Sequence, residues 1–588
     1  MGSTPSAPHL APDASLLGFA LAIAAPALLA YNVSPSATLL NQLLALFGWG
    51  IAVTYFAPRW AELTSSLRLI FAILLALMAA IAWSAERSLP NALTWSALAL
   101  SAAALVVACS AAGDAIGGAV PAPSFLLALL LTGGASMLIA LIQVFAPTWA
   151  DGNFIARSGL PGRAVGNLRQ PNHLSSLLMW ALVAWVPVVS AGYINRWRIR
   201  RAAALALGAL MVWAVVLTAS RTGVVGVLLL AAWGMVDRRL ARWVRVSLVA
   251  APVVYLAFWL LMAGWAHSTG HTFGGEARLA ESDVSSSRWA IWSNTLQLIR
   301  ENPWTGVGFG EFNFAWTLTP FPDRPVAFFD HSHNLPLQLW VELGIPLGTL
   351  VLGLLLWALV QAGVRSWKVA GDGGAASRAA FVMVLMIGVH SLFEYPLWYA
   401  YFLLPTAWAW GYALRRPSTD SPASEEPNNE GRGWPLRIAG VLMIAGSLFA
   451  VYDYWKVVVI YAPSDDAGPL AERIERGQGS VFFSHHADYA AATTTEPPSR
   501  AMAAFDSTTH SLLDSRLMMA WATALAESGN RDKASYLAAR LREFRNPASA
   551  EFFEVCNDPA RLAETPPPFQ CEVPPPGLTW RDFRSRSE

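Results

Sequence analysis

The stretch SFLLALLLTGGASMLIALIQVFA, residues 124–146, contains no charged side chain. A helix needs about 20 apolar residues to cross the hydrocarbon core of a bilayer, so this stretch is long enough to span one. Similar runs recur near 15–31, 36–57, 67–84, 92–112, 172–191, 202–219, 222–236, 246–265, 335–362, 379–393, 397–414 and 436–453. The sequence therefore predicts an all-α, polytopic transmembrane helix bundle of about thirteen spans.

The composition agrees with a membrane protein. Hydrophobic residues make up 55% of the 588 positions and charged residues 13%, whereas soluble domains carry about 25% charged residues. The 27 tryptophans suit bilayer interfaces, where indole rings concentrate. A net charge of +1 gives no sign of a nucleic-acid partner.

Arginine placement predicts the orientation. Basic residues crowd the stretches 196–201, 238–245, 365–378 and 415–437. Under the positive-inside rule these stretches are cytoplasmic, and two spans between each pair put all of them on one side. The outer side then holds 147–171, the turn at 220, the loop 266–334, the corner 394–396 and the chain after 453.

These boundaries divide the chain into predicted domains. Residues 1–14 form a cytoplasmic tail without a basic n-region, so no cleaved signal peptide is expected. Residues 15–455 form the transmembrane domain with its large periplasmic loop 266–334, and 416–434 are a cytoplasmic linker rich in Ser, Pro, Asn and Glu. Residues 456–588 form a periplasmic helical domain.

The C-terminal domain contains one helical hairpin in its sequence pattern. Helices are predicted over Ser511–Ser528 and Asp532–Phe544, broken at Gly529-Asn530. The pair is similar to a tetratricopeptide hairpin, but a small helical domain of another kind fits equally. Cys556 and Cys571 can pair in an oxidising compartment or stay free, and both alternatives remain open.

A cluster of polar side chains, Asp330-His331-Ser332-His333-Asn334, ends the long loop where the chain re-enters the membrane. Histidine can take or give a proton near neutral pH. Ionisable groups beside a membrane are costly, which favours a functional interpretation. A solvated loop imidazole is as good an account of His331, whereas His333 has Asn334 and Glu342 as neighbours. His485 and His486 have no evident partner and are expected at the surface.

Other candidate residues fall on the same predicted side. Arg163, Gln170 and Asn172 lie where a helix begins at Pro171, and free N–H groups at a helix start suit an anion. Arg221, between Ser220 and Thr222, either extends to the membrane interface or binds a phosphate. We list the candidates for substrate binding as Arg163, Gln170, Asn172, Arg221 and Arg288.

Two further positions carry charge in unusual places. Arg288 follows three serines in the predicted first turn of a helix, where the helix dipole disfavours a cation unless an anion is bound. Glu394 lies at a corner that Pro396 explains but the carboxylate does not. Glu394 either orients a histidine or an acceptor hydroxyl, or it is a solvated corner residue. No CxxC or HExxH pattern suggests a metal.

Four motifs together carry a family resemblance. They are Gln170-Pro171-Asn172-His173, Ser220-Arg221-Thr222-Gly223, Ser287-Arg288-Trp289, and His331-Ser332-His333-Asn334 with Glu342-x-Gly344. In this order they resemble the bacterial O-antigen ligase and polymerase superfamily. Within it the chain looks most like the protein O-oligosaccharyltransferases, or pilin glycosylation ligases, over roughly residues 15–455, and its tail is also similar to theirs.

The resemblance implies a function. The donor would be a glycan on undecaprenyl pyrophosphate in the outer leaflet of the bacterial inner membrane. The enzyme would move it en bloc to Ser or Thr of an exported protein or pilin, without a metal or other cofactor. Arg221 and Arg288 would contact the pyrophosphate and His333 would be the catalytic histidine. His331 and Asn334 would support it, and Gln170 and Asn172 match a motif of the protein-glycosylating subgroup.

Three other functions are alternatives. An O-antigen ligase acting on lipid A core and an O-antigen polymerase belong to the same superfamily, but the length, linker and tail favour the protein-directed form. A membrane transporter is less favoured, because transporters place ionisable groups within their spans and often contain internal repeats. A purely structural membrane protein would not need so many outer arginines and histidines.

Overall fold

The computed structural model describes residues 14–56, 90–111, 122–190, 198–280, 283–415 and 434–584. Within these ranges all regular secondary structure is helical, as predicted. The predicted span 67–84 lies outside the described residues, as do nearly all of the N-terminal tail 1–14 and of the linker 416–434.

The helices follow one another along the chain with short connections, apart from the long loop (residues 270–334). In order they are α1 (Ala14–Phe19), α2 (Ala25–Leu28), α3 (Leu39–Phe56), α4 (Pro90–Ala111), α5 (Ala122–Phe145), α6 (Pro171–Ser190), α7 (Arg198–Leu217), α8 (Arg221–Val236), α9 (Arg242–Thr269), α10 (Gly274–Ala280), α11 (Asp283–Glu301), α12 (Phe312–Leu318), α13 (Leu335–Leu343), α14 (Ile345–Lys368), α15 (Gly371–His390), α16 (Ala400–Leu414), α17 (Trp434–Tyr461), α18 (Leu470–Gln478), α19 (Ser484–Thr494), α20 (Met502–Thr508), α21 (Ser515–Glu527), α22 (Arg531–Glu543) and α23 (Pro559–Leu562).

Eight helices in the described ranges are long and apolar enough to cross a membrane: α3, α5, α6, α7, α9, α14, α15 and α17. Shorter apolar helices cover Ser15–Leu28, Leu98–Ala111 and Arg221–Val236. This is a multi-pass membrane protein, while the count of about thirteen spans stays a prediction.

One predicted span is wrong in its extent. The apolar run 335–362 is divided at Gly344 into the short helix α13 and the long helix α14. Gly344 has φ +79°, and a Cβ atom there would come within 2.3 Å of the carbonyl oxygen of Trp304. A glycine is needed at this bend, because L side chains rarely adopt that conformation and have no room here.

Basic residues from different loops meet at one end of the bundle. Arg378, on α15, is hydrogen-bonded through Nε to Asp237, which follows α8. Arg239 donates to the carbonyl oxygens of Trp367 and Val369 at the end of α14. The helices α8, α14 and α15 therefore share one end that carries these arginines, and their other ends lie together at the opposite side of the bundle.

The long loop and the C-terminal segment (residues 462–584) share one apolar core. Trp316 of α12 packs edge-on against Phe544 with ring centroids 5.7 Å apart, and Phe328 stacks on the same phenyl ring at 3.9 Å. The Tyr536 hydroxyl donates to the carbonyl oxygen of Leu318 at 2.7 Å. The two parts of the chain therefore form one packed unit.

The predicted hairpin of the C-terminal segment corresponds to α21 and α22, which pack against each other. The first helix begins at Ser515 rather than Ser511, because the Asp514 side chain accepts the N–H of Leu517 and caps the helix there. The break at Gly529-Asn530 is where predicted, with Gly529 at φ +81°. A tetratricopeptide identity for the pair stays a prediction.

The open question of the two tail cysteines has an answer in the structure. Cys556 and Cys571 form a disulfide. The bond joins the end of a 3₁₀ segment to a Pro-rich stretch and closes a loop with a sequence separation of 15.

Candidate active site

The carboxylate of Glu394 lies at the centre of a polar cluster. Its Oε2 is 2.7 Å from Nδ1 of His333, and its Oε1 accepts hydrogen bonds from Nη2 of Arg288 at 2.5 Å and from Nδ2 of Asn172 at 3.0 Å. These contacts join the α15–α16 corner, the end of the long loop, α11 and the start of α6. Glu394 is only 7% exposed, so the interpretation as a solvated corner residue is wrong.

Glu394 is held in its charged form. Burial raises the pKa of a carboxyl group, but here the hydrogen bond and charge of His333 and the charge of Arg288 outweigh it and lower the pKa of Glu394 below its ordinary value. The carboxylate can therefore accept the Nδ1–H of His333, which leaves Nε2 of the imidazole as the free proton acceptor.

Local hydrogen bonds fix the backbone around His333, which has φ +55°. On its C-terminal side Asn334 caps α13 by accepting the N–H of Leu337, and its amide donates to the carbonyl oxygen of Leu392. On its N-terminal side the N–H of Ser332 donates to Oε1 of Gln338 at 2.7 Å. Asn334 therefore acts through structure, since it joins His333 to the corner that carries Glu394.

His331 packs within a group of aromatic rings. Its imidazole stacks on Tyr395 with centroids 4.4 Å apart and meets Trp398 edge-on at 4.9 Å. Nδ1 is 3.2 Å from an oxygen of Asp330. Tyr395 also contacts the ring of His333 edge-on at 4.9 Å. His331 thus lies beside the cluster and supports its aromatic wall.

The start of α6 connects the cluster to α8. Asn172 accepts a hydrogen bond from the Ser220 hydroxyl at 2.7 Å while its amide reaches Glu394. Ser220 in turn caps α8 by accepting the N–H of Gly223. Gln170 accepts the N–H of His173 through Oε1, so it caps α6. The predicted motif residues Gln170 and Asn172 therefore shape the site.

Arg221 is the first residue of α8 and directly follows Ser220. Its side chain is exposed and makes no hydrogen bond or ion pair with the part of the chain that the structure describes. A guanidinium group in this position has all its donors available for an anionic ligand.

The predicted position of Arg288 in a helical first turn is wrong. Helix α11 begins at Asp283, so Arg288 lies in its second turn, where the helix dipole has little effect. Its partner is the carboxylate of Glu394, on which the guanidinium group also meets Asn172. The charge that seemed to require an anion is balanced by the protein itself.

Arg163 joins two outer connections of the bundle. Its Nε donates to the carbonyl oxygen of Thr218 at 3.1 Å, and its side chain lies against Gly274, where a Cβ atom would come within 2.0 Å of the Arg163 Cγ. None of these contacts reaches Glu394, so a role for Arg163 in substrate binding stays a prediction.

The sequence analysis missed a second buried pair next to the cluster. His390 Nδ1 lies 2.7 Å from the Ser176 hydroxyl, and the His390 carbonyl oxygen accepts the N–H of Glu394. His390 falls inside the predicted span 379–393, and a histidine within an apolar span is the signal that points to it. The pair holds α6 against α15 one turn away from Glu394.

Three family descriptions match separate parts of this chain. Residues 164–186 match "Protein glycosylation ligase", residues 206–352 match "O-Antigen ligase", and residues 378–552 match "Virulence factor membrane-bound polymerase, C-terminal". The chain is related to the O-antigen ligase family. The resemblance predicted from the motifs is thereby confirmed.

Two curated proteins of Acinetobacter baylyi are similar to this chain. The general O-oligosaccharyltransferase is 26% identical over 303 residues, which cover 50% of this chain and 50% of that protein. The ComP-specific O-oligosaccharyltransferase is 28% identical over 267 residues, covering 44% and 45%. The chain thus spans about half the length of the curated relatives it matches. Asn172, His333 and Glu394 each lie in one of the three family matches.

The described residues hold no group of three or more His, Cys, Asp or Glu side chains placed to bind a metal ion. The chemistry available in the cluster is that of an imidazole, a carboxylate and two guanidinium groups. Such a set accepts a proton and stabilises an anionic leaving group.

Proposed function

We propose that this protein transfers an oligosaccharide en bloc from undecaprenyl pyrophosphate to Ser or Thr side chains of exported proteins or pilins. The observation that carries the proposal is the His333–Glu394–Arg288 cluster, in which a proton acceptor and a cation for a phosphate share one carboxylate. The curated relatives, which are named O-oligosaccharyltransferases, support the reaction class.

His333 serves as the general base. The acceptor hydroxyl oxygen attacks the anomeric carbon of the glycan, and its proton passes to Nε2 of the imidazole. Glu394 keeps the other ring nitrogen protonated and stabilises the imidazolium that forms. Proton transfer of this kind contributes a factor of about 10²–10⁴ to the rate.

Arg221 and Arg288 act on the leaving group. As the new bond to the acceptor oxygen forms, the bond between the anomeric carbon and the pyrophosphate oxygen breaks, and its electron pair stays on the pyrophosphate. Guanidinium groups bind phosphate oxygens through two parallel hydrogen bonds, which suits them to this added charge. A single displacement inverts the configuration at the anomeric carbon.

The orientation follows from the two ends of the bundle. The arginines that meet around Asp237, Arg239 and Arg378 mark the cytoplasmic end under the positive-inside rule. The cluster around Glu394 lies at the other end, and the disulfide Cys556–Cys571 suits an oxidising compartment. In this arrangement the site opens to the periplasm from the inner membrane, where a lipid-linked donor in the outer leaflet reaches it.

The test uses the purified full chain in lipid nanodiscs with an undecaprenyl-pyrophosphate oligosaccharide and a pilin as acceptor. The intact mass of the pilin is measured after reaction with the wild type, H333A and R288A. We expect the mass of one glycan to be added by the wild type and almost none by either variant. His271, exposed in the same long loop, supplies the control variant H271A with wild-type transfer. Near-normal transfer by both site variants would contradict the proposal.

A glycan ligase acting on lipid A core or an O-antigen polymerase is the second candidate. The matches to an O-antigen ligase over 206–352 and to a polymerase C-terminal region over 378–552 favour keeping it. The same donor is offered with lipid A core in place of pilin, and the products are separated by gel. Transfer to lipid A core or extension of the glycan, without any change in pilin mass, would replace the protein-directed function.

A further inference from the structure

Beneath His333 a line of buried polar side chains leads away from the site. The N–H of Ser332 donates to Oε1 of Gln338 at 2.7 Å, and Nε2 of Gln338 donates to Oε1 of Glu342 at 2.9 Å. Gln338 is 2% and Glu342 3% exposed. The proposed reaction uses neither, and two buried polar groups without a purpose would be costly.

The line continues from Glu342 into the long loop. Its carboxyl group accepts the backbone N–H groups of Gly310 and Phe312, the two neighbours of Glu311. Backbone pairs bind the same turn to α13, since the N–H of Gly308 donates to the carbonyl oxygen of Glu342. Glu342 therefore fixes the turn that carries Glu311.

Glu311 in turn binds the C-terminal segment. Its Oε2 lies 2.8 Å from Nδ1 of His510, and both side chains are buried. The His510 ring stacks on Phe314 with centroids 4.2 Å apart. Next to them, the N–H of Leu513 donates to the Asn313 side chain at 2.7 Å. The C-terminal segment is thus attached at the far end of the line that begins at His333.

We propose that Gln338 and Glu342 are positioning residues for His333, and that His510 of the C-terminal segment secures them through Glu311. This inference rests on the proposed function, because it assigns the residues that hold its general base. It also gives the C-terminal segment a part in the chemical step rather than in acceptor binding alone.

The need for such support lies in the backbone of His333. Its φ of +55° is uncommon for a residue with a side chain and persists only where the surroundings impose it. The side towards Asn334 is fixed by the cap of α13 and by the N–H of Leu335, which donates to the carbonyl oxygen of Ser391. On the other side, Gln338 is the residue that holds the N–H of Ser332.

The protonation of Glu342 makes the proposal testable with an isosteric variant. Burial raises the pKa of Glu342 to about 8, and the nearby charge of Glu311 adds to this, while the hydrogen bonds from Gln338, Gly310 and Phe312 oppose it. The other charged groups on this turn are His510, bound to Glu311, and Arg584, which donates to the carbonyl oxygen of Val307. Near neutral pH the carboxyl group is therefore mostly protonated, and a carboxamide replaces it closely.

The experiment measures steady-state glycan transfer by the full chain in nanodiscs, with donor concentration varied. We expect Q338A and E342A to lower kcat by about tenfold or more, with little change in the KM for the donor, because a displaced base slows the chemical step without weakening pyrophosphate binding. E342Q keeps near-wild-type kcat at neutral pH. Above pH 8 the wild type loses activity as Glu342 ionises, whereas E342Q does not.

The chain contains a matched control pair. Gln297 donates to Glu301 at 2.9 Å with the same spacing along a helix, but the pair is exposed on α11. We expect Q297A and E301Q to behave as wild type. Amide hydrogen exchange is the second readout, with faster exchange at Ser332 in Q338A and at 306–312 in H510A. If E342A does not fold, Q338A and E342Q still decide the question.

Wild-type kcat in Q338A, or equal losses in E342A and E342Q when both fold, would overturn the positioning role. If the wild type itself transfers no glycan to any acceptor, the proposed function fails instead. Faster exchange at Ser332 in Q338A would then still support the structural link, so the two failures are distinguishable.

Discussion

His333 Nδ1 and Glu394 Oε2 lie 2.7 Å apart, although 61 positions separate the two residues in the chain. The second oxygen of the carboxylate is held by Arg288 and Asn172, so Glu394 cannot turn away from the imidazole. A carboxylate in this place does for the histidine what the aspartate of a Ser-His-Asp triad does: it selects the tautomer and stabilises the protonated ring.

Replacing Glu394 by glutamine tests this role. E394Q keeps the shape of the side chain and removes its charge, so the imidazolium loses its partner in the transition state. We expect kcat for glycan transfer to fall by about 10²–10⁴-fold. E394A should in addition lower the melting temperature, because it leaves Arg288 without its partner.

The control for this prediction is E301Q, which changes an exposed carboxylate on α11 and should leave transfer unchanged. A turnover of E394Q close to that of the wild type would mean that Glu394 only holds α11 and α6 in place.

Arg221 offers a test of donor binding. Since its guanidinium group makes no contact with the described part of the chain, R221A should leave the melting temperature unchanged. The lost charge-assisted hydrogen bonds should weaken donor binding by about tenfold to a hundredfold, measured as the KM for the lipid-linked glycan. R221K should recover only part of the loss, because an ammonium group cannot bind two oxygens side by side.

Arg300, exposed on α11, provides the comparison variant R300A, for which donor KM should not change. If R221A and R300A gave the same KM, Arg221 would be an interfacial arginine without contact to the donor.

His485 and His486 predict an acid-sensitive C-terminal segment. Burial lowers the pKa of His485 to about 4 and, with the charge of His485, the pKa of His486 to about 3. The unfolded chain binds protons near the ordinary value of about 6.5, before the folded chain does. Stability is therefore complete above that pH and falls as the pH drops towards 4.

The measurement is the melting temperature between pH 7.5 and pH 5. We expect a smaller decrease for H485Q and H486Q than for the wild type, and an unchanged decrease for H267Q, whose side chain is 75% exposed. Parallel curves for all four proteins would show that these two histidines do not set the acid sensitivity. The surface location expected for His485 and His486 is then also wrong in its consequence, as both are half-buried.

The disulfide stabilises the end of the chain. For a loop of about 15 residues, loss of the cross-link costs about 3 kcal/mol in the chain-entropy account. C556S/C571S should therefore show faster amide exchange over α22 and the stretch after it, and a lower melting temperature. Reduction of the wild type should reproduce the effect, and an unchanged exchange pattern would contradict it.

The motifs predicted much of the site. Asn172, Arg221, Arg288 and His333 were found from short patterns, because the chemistry of each residue and its place at a helix start or loop end can be read locally. Their convergence on Glu394 was beyond the sequence, which left that residue between two interpretations. Distances across the bundle are set by helix packing, and no local pattern encodes them.

The fold was predicted in kind but not in every boundary. Apolar length identifies membrane helices well, yet it does not reveal the bend at Gly344, since leucine-rich sequence continues on both sides. It also gave no sign of the His510–Glu311 contact, because the two residues lie 199 positions apart in different predicted domains. The start of α11 was misplaced because serines suggested a cap.

The apolar core shared by the long loop and the C-terminal segment limits how this protein can be re-engineered. A chimaera that exchanged only the residues after Tyr461 with those of a relative would set foreign side chains against Trp316 and Phe328. Acceptor preference is therefore best transplanted by moving residues 270–334 and 462–584 together, as a co-adapted pair.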